Sequence, residues 1–518
     1  MRPEDYNISK ELLTFKEQDG NIHDQKLDTK PVGYFKDAFN RFKRNKASIV
    51  ATIIIGILIL FAIIVPIFSN YRVSYAEDSH YPIFQNALPK SGFTDGIDFW
   101  DGCKENSVTA DKFYEYMAIY TETGNKPIKN NEYKTVTTGK GAIAAMQKTY
   151  YVIREDSYYK KGVISKLVNE EEYLDIQKYQ NETGIQVIYP AIADAKVQAS
   201  NANMWYKTDA KNKVVWGSGG AEELDFIPNY AEYNGKDDYN SLRIAAEGDT
   251  PKWNYAYKKD GSYEVRVSYY DYYCFYNKTY YDDGVTKPVF MFGTTDAGQD
   301  ILTCLASGAR FSLILSVIVA SVNLIVGAII GAIEGYYGGA IDLIIERIID
   351  ILGSIPFMIV ITLLKYHLKA GDMIVLFISF FITGWTGMAS RTRMQFYRFK
   401  NQEYVLVART LGASDSRIMF KHIFPNAIGT LITGSVLVIP SVIFSETSLS
   451  YLGIINLESG NLISVGTLLG KGNSTTLISA PHVILFPALF ISLLMLSFNL
   501  FGNGLRDAFN PSLRGTED

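Results

Sequence analysis

The chain has 518 residues, 47% of them hydrophobic, with 50 Lys and Arg against 54 Asp and Glu and a formal net charge of -4. So acidic an average supplies no concentrated basic surface for phosphate, which excludes nucleic acid as an expected partner. The cysteines Cys103, Cys274 and Cys304 lack CxxC spacing and a nearby histidine cluster, which argues against a metal or redox centre.

Apolar residues crowd the beginning and the last two hundred positions, whereas the middle is polar and Tyr-rich, the pattern of a membrane protein with an aqueous insert. A helix crossing the hydrocarbon core needs about 20 apolar residues, because no water is there to satisfy the backbone. The first segment to qualify is Ala47 to Phe68; it is uncharged, too long and too far from the N-terminus for a cleaved signal, and is expected to stay in place. Five more follow at Phe311 to Ile333, Leu343 to Leu364, Met373 to Ala389, Ile428 to Ser445 and Val483 to Gly502.

Between the first two spans, Asn70 to about Ser307 reads as a folded domain. Thr149 to Ile153 and Tyr263 to Tyr276 are rich in aromatic and β-branched residues and read as strands, and Val163 to Gln180 as an amphipathic helix. Asn234-Gly235 and Asp260-Gly261 read as turns. Cys103 and Cys274 either pair, if this domain lies outside the cell, or remain two lone thiols. The third span carries Glu346, Arg347 and Asp350; Arg347 and Asp350 stand three apart on one face and can neutralise each other. Glu334, Glu346 and Glu446 all fall near span ends, which disfavours a proton relay at mid-membrane.

Basic residues flank the first span (Lys36 to Lys46) and fill Arg391 to Asn426 between the fourth and fifth. With six spans these stretches share one side, expected to be cytoplasmic together with both termini, and the insert is expected outside. The segment Glu403 to Asn426 has the grammar of two short helices. Glu403 favours a helix start, and Val405, Leu406, Val407, Ala408 and Leu411 supply an apolar side. Gly412 is placed for a left-handed stop, Ser414 for capping a second helix, and Pro425 for opening the fifth span. On physics alone it is either a basic loop that enforces topology or a knob shaped to fit a groove in a soluble partner.

These residues resemble the EAA loop of ABC importer permeases. Glu403, Ala408 and Gly412 fall on the family's Glu, Ala and Gly, with Ala413, Ser414 and Arg417 following, and Ile423, Pro425 and Asn426 on the I-x-P-N end of its peptide-transport branch. Val407 stands where Ala is usual. Phe292 to Leu313, with Gly293, Gly298 and Asp300, resembles the family's approach to the second span; Glu446 to Ile454, with Leu452 and Gly453, its signature after the fifth; and Phe498 to Arg514 its C-terminal signature. Thr295 and Gln299 replace a usual Asp and Arg, Asn503 a usual Asp, and Val465 a common Trp. More than two hundred residues of insert have no counterpart in a minimal C-type permease.

The resemblance implies a type I ABC importer permease fold, an α-helical polytopic membrane protein of six transmembrane helices, with an α+β extracellular domain between helices 1 and 2. It divides as a cytoplasmic tail (1–46), the first transmembrane helix (47–69), the insert (70–290) and a permease core (291–518) with a coupling loop at 391–426. It implies oligopeptide import in a bacterial cell membrane, with a homologous B-type permease, two ATPase subunits and an extracellular peptide-binding lipoprotein as partners. No cofactor is expected on this chain, and ATP and Mg²⁺ belong to the ATPases. Gly466 to Lys471 (GTLLGK) is one residue short of a P-loop and has Gly472 where Ser or Thr must hold Mg²⁺. Dipeptide and nickel importers share these signatures, and a membrane receptor with an outer sensing domain is the alternative from another class. The insert is expected either to dock the binding protein through its many Tyr or to use them for its own core.

Overall fold

The structure is a computed structural model and describes residues 34–92, 100–138, 148–191, 197–207, 226–227, 253–281, 285, 287–460, 462–472 and 479–509. Helix α1 (Tyr34–Arg44) is followed at once by α2 (Lys46–Phe68). The Asn45 side chain stops one and starts the other, accepting from the Ala47 and Ser48 N–H groups at 3.1 and 3.3 Å.

The insert builds one unit twice. In the first copy β1 (Cys103–Thr109), α3 (Ala110–Thr123), β2 (Ile128–Thr138) and β3 (Lys148–Asp156) form an antiparallel sheet ordered β1-β3-β2. The second copy starts with β4 (Val163–Val168), α4 (Glu170–Thr183) and β5 (Ile188–Tyr189). A detour follows through the small sheet of β6 (Val197–Asn201), β7 (Met204–Lys207) and β8 (Phe226–Ile227) and through β9 (Tyr257–Lys259). It closes with β10 (Ser262–Ser268), giving the order β4-β10-β5.

The registers coincide. Val108 lies opposite Tyr151 and Val168 opposite Tyr263, while Ile128 lies opposite Glu155 and Ile188 opposite Val267. The buried residues Val108, Phe113, Tyr116, Ile119, Ile128 and Ile153 of one unit correspond to Val168, Tyr173, Ile176, Tyr179, Ile188 and Val265 of the other. Both helices end in Glu-Thr-Gly, and the Thr123 and Thr183 hydroxyls each donate to the carbonyl four residues back at 2.7 Å. Gln180 and Arg266 sit buried in the second unit, where Arg266 donates to both carboxylate oxygens of Glu122 at 2.9 Å and so clamps the two units together.

Two expectations for the insert change. Val163 to Gln180 is not one helix: its first six residues alternate in burial and form β4, and the helix begins only after Asn169, which accepts from the Glu172 N–H at 2.7 Å. Tyr263 to Tyr276 is strand only to Ser268; α5 (Tyr269–Tyr276) and a π-turn (Asn277–Tyr281) follow, with their rings packed into the core. Many of the described tyrosines lie in that core, with Tyr158, Tyr173, Tyr272 and Tyr273 fully buried. Asp260 and Gly261 form the expected tight turn, both at positive φ, whereas Asn234-Gly235 lies outside the described residues.

The insert is joined firmly to the membrane part. The Asn86 N–H donates to the Thr295 carbonyl, Thr294 N–H to Ala87 and Lys90 N–H to Phe290, each at 2.9 Å, and the Trp100 ring stacks on Phe486 at 5.8 Å.

Five described helical stretches are long and apolar enough to cross a membrane: Lys46–Phe68, Ile301–Tyr337, Asp372–Phe399, Asp415–Tyr451 and His482–Phe509. We label α6 (Ile301–Tyr337), α7 (Gly339–Ser354), α8 (Phe357–Leu368), α9 (Asp372–Gly384), α10 (Thr386–Phe399), α11 (Glu403–Thr410), α12 (Asp415–Arg417), α13 (Phe424–Val436), α14 (Val438–Tyr451), α15 (Val465–Lys471) and α16 (His482–Phe509). The expected third span, Leu343 to Leu364, is broken: α7 and α8 meet at 82°, with Ile355 extended before Pro356. Its ends are nevertheless tied to opposite sides. Asp342 in the first turn of α7 accepts from Arg393 Nε of α10 at 2.6 Å, on the side of α11, while Lys365 of α8 donates to the Ile454 carbonyl beyond α14 at 2.7 Å, on the side of the insert.

All three cysteines are free, and burial pushes the Cys103 and Cys274 thiols up to about 12, so each is almost wholly protonated at neutral pH. The folded chain is therefore expected to label slowly with maleimide at pH 7, to give three thiols in denaturant, and to show no gel shift on reduction; a shift would establish the Cys103–Cys274 pair instead.

Candidate functional site

The segment Glu403 to Asn426 folds as one short helix, a glycine corner and the start of a second helix. Gln402 takes extended backbone before α11, and the helix closes with the two hydrogen bonds of a Schellman turn, Ala413 N–H to Ala408 O at 3.1 Å and Gly412 N–H to Arg409 O at 3.0 Å. Gly412 sits at φ +79°, which a side chain would oppose. The apolar side divides in two: Val405 and Ala408 are buried, while Leu406, Val407 and Leu411 are 45, 55 and 81% exposed. Val405 packs with Ile418, Met419, Ile423, Ala332 and Phe396, so one face of α11 belongs to the core and the other is presented outward.

The second helix is longer than expected. It does not stop at Pro425 but runs from Asp415 through a π-turn (Ile418–Ile423) to Tyr451 as one 37-residue stretch. Pro425 lies two residues beyond that π-turn, inside the continuous stretch, at the kind of irregularity where a proline is accommodated in a helix. Ser414 stands at the N-cap position but caps through its carbonyl, which accepts from Ile418 N–H at 2.9 Å; its hydroxyl makes no capping bond. Glu403 and Arg417 are exposed. Asn426 donates to the Tyr404 hydroxyl at 3.2 Å and so ties α11 to α13.

Two linkages here escape sequence reasoning. The Tyr336 hydroxyl, at the end of α6, donates to Asp415 at 2.6 Å, and Arg393 gathers Asp342 at 2.6 Å, the fully buried Glu334 at 3.2 Å and Glu346 at 3.6 Å. The sequence signal was the crowding of Glu334, Asp342 and Glu346 within one stretch short of cations; the partner, Arg393, lies almost fifty residues further on. Arg347 and Asp350 pair as expected, at 2.9 Å on an exposed face.

The remaining signature residues meet at the opposite end. Gly293 and Gly298 take positive φ in the loop before α6, and Asp300 caps that helix, accepting from the Thr303 N–H at 2.9 Å and hydroxyl at 2.6 Å. Burial pushes the Asp300 carboxyl up to about 6. Glu446, fully buried in α14, accepts from Ser312 of α6 at 2.9 Å and Ser450 at 3.2 Å. Leu452 and Gly453 end α14 as Leu411 and Gly412 end α11: Ile454 N–H to Leu449 O and Gly453 N–H to Ser450 O, both at 3.0 Å, with Gly453 at φ +71°. Beyond it come β11 (Glu458–Ser459) and β12 (Leu462–Ile463). Gln299, at the variant position, accepts from Lys471 Nζ at 2.7 Å and donates to Glu458 at 3.1 Å and to the Val73 carbonyl at 2.9 Å. GTLLGK is accordingly helical, with its lysine engaged by Glu458.

Removing Arg393 leaves the buried Glu334 facing Asp342 and Glu346 without a cation. Arg393→Leu is expected to destabilise the purified protein by about 3 kcal/mol, read as a lower thermal midpoint, with Arg393→Lys losing less.

Residues 323–515 match the family described as the binding-protein-dependent transport system inner membrane component, and residues 33–89 match the N-terminal TM domain of oligopeptide transport permease C. The chain is similar to the oligopeptide transport system permease protein OppC of Bacillus subtilis, 44% identical over 43% of this chain and 72% of the relative. It is similar to the dipeptide transport system permease protein DppC of Lactococcus lactis, 35% identical over 56% of this chain and 80% of the relative, and to OppC of Escherichia coli K12, 39% identical over 43% and 72%.

Proposed function

Because the chain belongs to the binding-protein-dependent transport system inner membrane component family, we propose that it is the C-type permease subunit of an ATP-driven oligopeptide importer. It is a multi-pass membrane protein and a transport permease subunit. It forms half of a translocation path completed by a homologous B-type permease. Two ATPase subunits, which hold ATP and Mg²⁺, bind on the cytoplasmic side, where both termini lie. Peptide arrives from an extracellular binding lipoprotein.

The observation that carries this reading is the divided face of α11. Leu406, Val407 and Leu411 are free to enter a groove on an ATPase, while Val405 and Ala408 fix the same helix to the spans. Glu403, Ala408, Gly412, Ala413, Ser414, Arg417 and Pro425 form this coupling element. A push on it passes into α12, which is continuous with the fifth span, and through Tyr336 into the second. At the other end Gly293, Gly298, Asp300, Glu446, Leu452 and Gly453 hold the outer closure of the path. The insert, within 70–290, receives the binding protein; its bonds to the loop before α6 support this by placing it at the span ends, while most of its described tyrosines are occupied in its own core.

Uptake of a labelled pentapeptide, a dipeptide and nickel into cells lacking the chain, with and without its restoration, tests the substrate. Restored, ATP-dependent pentapeptide accumulation is expected; restoration of nickel alone would keep the permease and overturn the peptide, and no restoration would favour a receptor. Glu403→Lys and Gly412→Val are expected to abolish uptake while the subunit remains in the membrane, the latter by straining a left-handed residue by about 1–3 kcal/mol. Transport surviving both would remove the coupling role.

A further inference from the structure

At the insert end of the spans, α6 and α9 diverge and leave an open groove of about 480 Å³. Its walls are hydrocarbon: Phe311, Ile314, Ile318, Met373, Ile374 and Phe377 line it, and Leu462 of the β11-β12 hairpin closes its top. At its mouth stands Arg310, exposed, one residue before the apolar run of α6 begins. Arg310 is the one Lys or Arg on α6 and α9, and four cations on the neighbouring helices are engaged. Arg347 bonds Asp350, Lys365 bonds Asp372, Arg391 donates to the Gly434 carbonyl, and Arg393 binds three carboxylates. Arg310 makes no hydrogen bond or ion pair among the described residues.

We propose that this groove binds an anionic phospholipid, with the phosphate on Arg310 and an acyl chain lying along α6 toward Ile318. The geometry matches the molecule in two respects. A cation directly precedes the uncharged run Phe311 to Ile333, the position that a headgroup phosphate would meet if that run spans the hydrocarbon, and a guanidinium presents its donors in the fork that phosphate oxygens accept. Below it, Phe311, Ile314, Leu315 and Ile318 give the groove face of α6 about 10 Å of apolar wall, with Ser312 and Ser316 bonded elsewhere, enough for the upper half of an acyl chain. A peptide fits poorly, because its amides would lose water in a groove with no polar group below the mouth to replace it. A helix of a neighbouring subunit could fill the apolar part, and the experiment separates that case.

The complex carried by a tag on this chain is stripped of lipid in detergent, then titrated with phosphatidylglycerol or phosphatidylcholine, and bound lipids are counted by native mass spectrometry. The wild type is expected to hold a phosphatidylglycerol that Arg310→Gln weakens about tenfold, the equivalent of one charge-assisted hydrogen bond. Arg310→Lys should retain most of it. Ile318→Trp, which fills the groove and leaves the arginine, should lose the same lipid, and both variants must assemble as the wild type does. Equal affinity for the two lipids, or phosphatidylglycerol binding indifferent to both substitutions, overturns the proposal. So does cross-linking of Ile374→Cys in membranes to another subunit, which would show that protein occupies the groove.

Discussion

The membrane part depends on how closely α6 and α10 approach. Gly327, Gly331 and Gly335 recur every four residues along α6, and a Cβ on Gly331 would lie 2.2 Å from the Ala389 carbonyl oxygen. Cβ atoms on the other two would fall 2.6 Å from Met388 and 2.7 Å from Phe396. In a membrane no hydrophobic effect draws helices together, so contact rests on dispersion between backbones that only small residues allow. That crossing fixes everything around it. It puts Arg393 of α10 beside Glu334 of α6, and it brings Phe396 and Ala332 into the pocket that receives Val405 and Ile418. The buried charge cluster and the seat of α11 are consequences of three absent side chains.

The two ends of the spans use one device. Leu411-Gly412 and Leu452-Gly453 each reverse the chain with the same pair of hydrogen bonds, and in both the leucine points outward, 81 and 59% exposed. A Schellman turn satisfies the last carbonyls of a helix without further residues, so the chain leaves abruptly and the corner is stiff. Between the two corners lies the single stretch from Asp415 to Tyr451, with one π-turn near its start. One continuous helical path thus joins the α11 corner to the corner beside Glu446.

What was legible in the sequence was what short-range chemistry determines. Long uncharged runs located the spans, Gly412 announced its left-handed turn, and Asp260-Gly261 its hairpin. Long-range pairing was not legible: Arg393 could not be matched to three acids some fifty residues away, nor Tyr336 to Asp415. The break at Ile355-Pro356 was visible as a proline, but hydropathy averaged over the window concealed it. Strand β4 was lost because Val163 to Gln180 has apolar residues that serve either period, and only the cap at Asn169 divides them. The repeat in the insert escaped because helices α3 and α4 share only Glu-Thr-Gly at their ends, while their cores keep bulky apolar character and not identity, Phe113 against Tyr173 and Ile119 against Tyr179.

That repeat explains how an insert of this size can interrupt a permease without loosening it. Each βαββ unit closes its own core, so neither requires the spans in order to bury its apolar residues. The Arg266–Glu122 clamp joins the units, and the second unit's core then extends through Tyr75, Tyr81 and Phe84 to the chain leaving α2. From there the bonds of Asn86, Ala87 and Lys90 reach the loop before α6, and Trp100 reaches α16. The insert thus grips the same ends of the first, second and last spans. A domain held at three such points cannot swing on a flexible stalk. Any rearrangement that separates those span ends must either carry the insert with it as a body or break the hydrogen bonds that join them.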